Sequence, residues 1–266
     1  MCPAPLSPSA AVPGSAPLVD HAWKGHLRRT RKLVRLLRQP SYRAALVHGV
    51  SAAIEHEDVA FGHQFASVID VGAHHGQFAL LASRRFPRAA LWCFEPLGEA
   101  QAKLRLAVAG RHGVTVIGSA AGRSAGEHEL HVSHATDSSS LLPILESYTT
   151  AFPGTEEERT TTVAVVPLDE VFPEPPPRPC LLKIDSQGSE LDVLHGAERL
   201  LESVDEIFVE CSFVEFYAGQ ALIGEVIAHL RERRFRLAGV YSVVYDRAGR
   251  CLQADLLFAR AGPDDS

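Results

Sequence analysis

Acidic residues close several short apolar segments, where they could bind a ligand or take up a proton. Asp185 follows the apolar run Cys180–Ile184, and Glu210 ends the next such run at 206–210. Because the carboxyl ends of neighbouring parallel strands open into one crevice, we expect Asp185 and Glu210 to lie close together. An alcohol oxygen needs a general base, or a metal that lowers its pKa, before it can attack. The pair therefore predicts catalytic carboxylates, and as a further hypothesis a Mg²⁺ site made by Asp185 and Glu210.

A glycine turn precedes a third such acid. The apolar stretch 68–71 runs into Gly72-Ala73-His74-His75-Gly76, and a second apolar stretch at 91–94 ends in Glu95. Glycines serve where the backbone must pass close to a ligand, and an acid about 20 residues further on can accept the hydroxyls of a ribose. The middle glycine of a pyrophosphate-binding G-x-G-x-x-G loop is missing. The spacing therefore favours an adenosyl ligand without phosphates, such as S-adenosylmethionine, over a nicotinamide dinucleotide.

The cofactor pocket is expected to use residues of the turn, of the strand ends and of small segments nearby. The predicted cofactor-binding residues are Asp70, Gly72, Ala73, His74, Gly76, Gln77, Phe78, Glu95, Pro96, Ser119, Ala120, Ser139 and Asp185. Asp70 is expected to orient the ammonium group of the ligand, directly or through water, and Ser119 and Ala120 to leave room for the adenine. His134, in a long polar segment at 133–160, is an alternative general base, because such loops are often functional lids.

The elements around these residues alternate between strands and helices. Strands are predicted at 68–71, 91–94, 114–117, 180–185 and 206–210, with helices over Gln77–Arg85, 98–109, 190–201 and 222–233. A terminal antiparallel pair is predicted over Phe235–Tyr245 and 251–259. This order predicts an α/β protein with an open, doubly wound sheet and an antiparallel hairpin at its C-terminal edge.

The 266 residues suit one such domain with an N-terminal helical appendage. We predict a disordered tail at 1–19, a helical segment at 20–62 that includes a helix over 42–60, and a catalytic domain at 63–262. Residues 122–166 form an inserted loop and hairpin. The basic stretch at 21–43 predicts an amphipathic helix that packs on the domain, or that meets an acidic surface.

Composition narrows the classes of function. The net charge of −6 argues against a broad nucleic-acid surface. No apolar run approaches the roughly 20 residues of a transmembrane helix. The five cysteines are odd in number and widely spaced, which suits reduced thiols and a cytoplasmic location.

Several segments in order resemble the FkbM family of S-adenosylmethionine-dependent methyltransferases. They are VIDVGAHHGQFALLASRRFP, WCFEPL, SSSLL, LLKIDSQGSELDVLHGA, EIFVECSF and QADLLF. The resemblance implies a class I Rossmann-like methyltransferase that O-methylates hydroxyls of sugars, glycolipids or polyketide-type natural products. Family members often carry Asn where this chain has His74, so that one contact is expected to be sensitive to pH.

Two other functions stay open at this point. A nucleic-acid or N-methyltransferase could share the fold, and so could a non-catalytic module that binds S-adenosylmethionine. The identity of the hydroxylated acceptor, the general base and the oligomeric state cannot be read from the sequence.

Overall fold

The structure is a computed structural model that describes residues 36–262. The predicted tail at 1–19 and most of the basic segment at 21–43 lie outside the described residues. The strands are β1 Ser67–Val71, β2 Ala90–Phe94, β3 Val114–Ile117, β4 Ala120–Ala121, β5 Gly126–Ser133, β6 Glu157–Val166, β7 Cys180–Ile184, β8 Glu206–Ser212, β9 Phe235–Tyr245 and β10 Cys251–Arg260. The helices are α1 Pro40–Val47, α2 Gln77–Arg85, α3 Gly98–Ala107, α4 Glu146–Ala151, α5 Leu168–Val171, α6 Glu190–His195 and α7 Ile223–Glu232.

Seven strands form the main sheet, in the order β3-β2-β1-β7-β8-β10-β9. The first five strands are parallel, and β10 pairs antiparallel with both β8 and β9. The prediction of an open α/β sheet with an antiparallel C-terminal edge is confirmed. The strand order reverses between β1 and β7, which is where such sheets open a crevice at their carboxyl edge.

The central strands are apolar throughout because helices cover both faces of the sheet. Every residue of β1 and of β7 is buried. One hydrophobic cluster joins the sheet to α6 and α7 through residues such as Val193 and Leu230. A second cluster joins the opposite face to α2 and α3 through Phe78 and Leu104. This two-sided burial explains the continuous hydrophobic runs that identified the strands.

A second sheet has the order β4-β6-β5, and its strand β4 follows shortly after the carboxyl end of β3. The antiparallel pairing of β5 with β6 agrees with the predicted hairpin. The segment between them is not one irregular loop, because it contains a 3₁₀ turn at Thr136–Ser138 and the helix α4. Tyr148 of α4 packs against Phe216 and Tyr217. That aromatic contact ties the segment to the main domain.

Two predicted helices are shorter than expected. The helix predicted over 42–60 ends at Val47, because Gly49 has a φ of +75° and the Val50 N–H bonds back to the Ala45 carbonyl at 3.0 Å. This is the Schellman arrangement, which terminates a helix. The helix predicted over 190–201 ends at His195, and a separate 3₁₀ turn occupies Leu200–Ser203. No helix within 36–262 is long and apolar enough to cross a bilayer.

Candidate functional site

A cavity of about 370 Å³ opens at the carboxyl edge of the main sheet, beneath the small sheet. Two groups of lining residues matter for its chemistry. The glycine-turn wall consists of Gly72, Ala73, His74, Gln77, Phe78, Glu95 and Pro96. The carboxylate wall consists of His56, Asp185, Gln187, Glu210 and Asp255.

The two walls meet where Gly72 touches the backbone after β7. A Cβ atom at Gly72 would lie 1.8 Å from the Asp185 carbonyl oxygen, and the φ of Gly72 is +72°. A Cβ at Gly76 would lie 2.6 Å from Leu104 Cδ1, and its φ is +91°. The sequence suggested that these glycines leave room for a ligand. In the structure, the space left by the missing Cβ atoms is taken up by other protein atoms, the Asp185 carbonyl oxygen and Leu104 Cδ1.

His74 connects the turn to the segment between β5 and β6. Its φ is +46°, its Nε2 lies 2.8 Å from Thr136 Oγ1, and the Gln77 amide donates to its Nδ1 at 3.2 Å. Burial lowers the pKa of His74 to about 4. The imidazole is therefore neutral at physiological pH, so the pH sensitivity expected of this contact is wrong for the neutral range.

Glu95 presents a buried carboxylate to the cavity. One oxygen accepts the Leu97 N–H at 2.8 Å and the other accepts the His74 N–H at 2.9 Å. Each oxygen keeps acceptor capacity for a further donor. Burial raises the pKa of Glu95 to about 7, although the two backbone donors oppose that rise. The side chain is thus fixed in place and titrates near neutrality.

Asp70 corrects one expectation, because its side chain has no exposed surface and lies behind the cavity wall. Its Oδ1 is 3.1 Å from Lys183 Nζ, and that ammonium also donates to the Gly72 carbonyl at 3.0 Å. Burial by itself lowers the pKa of Lys183, but the carboxylates of Asp70 and Asp185 outweigh it and the pKa is raised. Asp70 therefore holds a buried lysine, and its side chain does not line the cavity.

The structure brings Asp185 and Glu210 together through a single amide. Gln187 Nε2 donates to Asp185 Oδ1 at 2.7 Å and to Glu210 Oε2 at 3.1 Å. The side-chain oxygen of Gln187 accepts a hydrogen bond from the Tyr217 hydroxyl at 2.7 Å. The backbone carbonyl of Gln187 accepts a hydrogen bond from the Ser140 hydroxyl at 2.6 Å, and the φ of Gln187 is +52°. A side chain fixed at so many points holds both carboxylates in a defined position.

Asp255 and His56 complete this wall. Asp255 stands opposite Glu210 in the β8–β10 register, and His56 Nε2 lies 3.0 Å from Asp255 Oδ2. Burial raises the pKa of Glu210, and the nearby charges of Asp185 and Asp255 raise it further. A carboxylate of raised pKa is suited to accept a proton near neutral pH.

This arrangement gives no support to the Mg²⁺ hypothesis. Mg²⁺ prefers a shell of oxygen ligands, but the amide hydrogens of Gln187 point at both proposed ligands. The Lys183 ammonium lies 3.6 Å from Asp185 Oδ2 and already supplies positive charge there. The pair is therefore held by an amide and an ammonium.

Other predicted residues fall in different places. His134 is 61% exposed, lies 3.9 Å from Glu158 and stands outside the cavity, so the structure does not support it as the base. Ala120 and Ser139 line the cavity, whereas Ser119 and Gly76 do not. The Ser139 hydroxyl bonds within its own loop, donating to the Thr136 carbonyl at 2.9 Å.

Sequence reasoning missed four residues of the site: His56, Lys183, Gln187 and Asp255. Lys183 and Asp255 did carry a signal, because each is a charged residue between two apolar neighbours in a strand. Gln187 followed a recognised strand end but was passed over as part of a turn. His56 lies in the N-terminal segment, and nothing in its local pattern pointed to the site.

Comparison with known proteins places this geometry in context. A methyltransferase FkbM domain model matches residues 70–237. Among solved structures, a methyltransferase FkbM from Methylobacillus flagellatus KT matches with a TM-score of 0.50 and 14% identity, over 87% of this chain and 60% of that one. This chain thus spans about 60% of the length of that relative. The likeness shows a shared fold, the Rossmann-like fold of class I methyltransferases, as predicted.

More distant matches include two other methyltransferases. A precorrin-6y C5,15-methyltransferase from Geobacter metallireducens GS-15 has a TM-score of 0.43 and 9% identity, covering 79% of this chain and 86% of that one. A magnesium protoporphyrin IX methyltransferase from Synechocystis PCC 6803, with bound SAM, has a TM-score of 0.41 and 11% identity, covering 84% and 85%. No match was found among curated proteins.

Proposed function

The chain belongs to the FkbM methyltransferase family, and from that premise we propose that it transfers a methyl group from S-adenosylmethionine to a hydroxyl of a small molecule. The acceptor is proposed to be a sugar, a glycolipid or a polyketide-type natural product. The observation that carries this proposal is that Glu95 and the pair Asp185–Glu210 line the same cavity.

The glycine-turn wall would hold the adenosyl group. Glu95 is fixed by two backbone donors and retains acceptor capacity for the ribose hydroxyls. Ala120 and Leu97 offer a small and apolar surface for the adenine ring. Glu95 accepts the His74 N–H, so this backbone donor is not available to a pyrophosphate. When bound, S-adenosylmethionine supplies an activated methyl group.

The carboxylate wall would orient the acceptor and take its proton. We assign the role of proton acceptor to Glu210, whose pKa is raised by burial. We assign the orientation of the hydroxyl to Asp185, which lines the cavity and is 37% exposed. Gln187 keeps the two carboxylates at a fixed separation. Alignment of the reacting atoms supplies much of the rate enhancement when the donor is already activated.

Ligand binding tests the donor half of the proposal. Calorimetric titration of the full chain with S-adenosylhomocysteine and with NAD should show saturable binding of the first alone. Binding of NAD alone would point to an oxidoreductase. Binding of neither would mean a module that keeps the fold without the cofactor.

An acceptor screen tests the other half. Release of S-adenosylhomocysteine should be stimulated by hydroxylated small molecules and not by RNA or DNA. With an acceptor in hand, excess chelator should leave turnover unchanged, because an amide and an ammonium already hold the two carboxylates. Loss of turnover that Mg²⁺ restores would establish the metal site that the geometry argues against.

A cytoplasmic location is part of the proposal. Within the described residues Cys93, Cys180 and Cys211 are buried free thiols. Reduced, buried cysteines are typical of proteins kept in a reducing compartment.

A further inference from the structure

A second cluster of chemically active side chains lies away from the cavity, where α6 and α7 approach each other. His195 is the last residue of α6, Glu198 follows in the next turn, and His229 lies in the last turns of α7. One donor atom from each residue lies within 4.8 Å of the other two. None of the three lines the cavity. We propose that His195, Glu198 and His229 bind a first-row transition-metal ion such as Zn²⁺.

The burial of His229 gives the first reason. Its side chain is 7% exposed, and its Nε2 is buried without a hydrogen-bond partner among residues 36–262. A buried polar atom without a partner costs about 1–3 kcal/mol, so such an atom calls for an explanation. This nitrogen lies 4.0 Å from Glu198 Oε1, too far for a hydrogen bond and directed into the cluster.

The spacing of the donors gives the second reason. His195 Nδ1 lies 3.6 Å from the same Glu198 oxygen, and the two imidazole rings stand nearly perpendicular with centroids 4.6 Å apart. Zinc binds imidazole nitrogen and carboxylate oxygen at about 2.0–2.2 Å. A zinc ion between the three donors would therefore require these side chains to move closer together.

The donor set also selects the kind of metal. Two imidazoles and one carboxylate suit Zn²⁺, Ni²⁺ or Cu²⁺ better than Mg²⁺, which prefers oxygen ligands.

A metal ion bound here would share Glu198 with Arg233. Its guanidinium contacts both oxygens of Glu198, with Nε at 2.6 Å from Oε2. A carboxylate offers about four lone-pair positions, so Oε1 can accept from Arg233 and still face the two imidazoles. The nearby positive charge weakens cation binding without closing the site.

The test is a titration of the full chain with ZnCl₂ and, separately, with MgCl₂ after removal of bound metals. The native protein should show one saturable Zn²⁺ site and none for Mg²⁺. The variants His195→Ala and His229→Ala should each weaken Zn²⁺ binding by at least about tenfold, a loss already typical of changes around metal ligands. The exposed His128, on β5, supplies the control variant His128→Ala, which should bind as the native protein does.

Thermal denaturation gives an independent readout that needs no activity. Zn²⁺ bound to the folded state alone should raise the Tm of the native protein and of His128→Ala, but not of His195→Ala. His195 is partly exposed, so this variant should fold even if His229→Ala does not. Absence of a saturable site, or equal Zn²⁺ affinity in the native protein and His195→Ala, would overturn the proposal.

Discussion

The two walls of the cavity are built in different ways. The residues of the glycine-turn wall named above come from one continuous stretch of chain, 72–96, and Glu95 bonds directly to His74 within it. The carboxylate wall gathers residues from four separate segments, and the contact between His56 and Asp255 joins positions 199 residues apart. One wall is therefore local in sequence, and the other exists only when the whole sheet has formed.

The difference concerns which interactions fix each wall. Backbone hydrogen bonds and glycine conformations fix the turn, so residue type and spacing reveal it. The carboxylate wall depends on strand order and on one amide, Gln187, that is itself anchored by Tyr217 and Ser140. Four substitutions or titrations can test this contrast, and they follow from the largest expected effect to the smallest.

The junction of the two walls, at Gly72, should be the position that tolerates substitution least. Gly72→Ala would place a Cβ 1.8 Å from the Asp185 carbonyl at a φ of +72°, and we expect a loss of about 3–5 kcal/mol in the free energy of unfolding. Gly110→Ala is the matched control, since its φ is +82° but no atom lies within 4 Å. It should cost about 1–2 kcal/mol, from backbone strain alone. Denaturant titration of both variants measures the difference, and equal losses would mean that the walls do not press together at Gly72.

The carboxylate wall should lose its part in turnover when the side-chain amide of Gln187 is removed. Gln187→Leu removes the donor shared by Asp185 and Glu210, and we expect turnover to fall about 100-fold, as for reacting groups displaced by about 1 Å. Affinity for S-adenosylhomocysteine should change by less than about threefold if the walls act separately. The exposed Gln64 supplies a control in Gln64→Leu. A large loss of affinity in the Gln187 variant would show that this amide serves the donor as well.

The glycine-turn wall should show the opposite pattern. Glu95→Ala should weaken binding of S-adenosylhomocysteine by about 1–3 kcal/mol, because the ribose loses hydrogen bonds to a charged acceptor. Glu99→Ala removes an exposed carboxylate four positions away and should leave the affinity unchanged. Calorimetry on both variants measures this. Unchanged affinity in Glu95→Ala would mean that the end of β2 has no part in cofactor binding.

Titration of Glu95 should give the smallest effect. Its pKa of about 7 is raised above the ordinary carboxyl value by burial, so the ionised acceptor is present above pH 7 and is lost as the pH falls through 7. Affinity for S-adenosylhomocysteine should therefore fall by up to about tenfold between pH 8 and pH 6. Glu95→Gln cannot titrate there and should give a flat profile. A parallel fall in both proteins would assign the pH dependence to another group.

The same pKa shift predicts the sign of a stability effect. Between pH 4.5 and 7 the folded protein binds the Glu95 proton more tightly than the unfolded chain does. The contribution of this proton to stability is thus fully present below the ordinary carboxyl pKa and is lost as the pH rises through 7. Bound cofactor would offset that loss by giving the ionised form hydrogen-bond donors.

The sequence by itself determined the alternation of strands and helices, the glycine turn and the position of Glu95. Burial on both faces forces long apolar runs, and a turn at φ near +72° requires glycine, so both leave marks in neighbouring residues. Only the tertiary structure decided that Asp70 pairs with Lys183 and that His134 is exposed. It also decided that His56 and Asp255 line the same cavity wall as Glu210. Those outcomes depend on which strand lies beside which and on where each side chain finds a partner, and such contacts between distant residues have no local pattern.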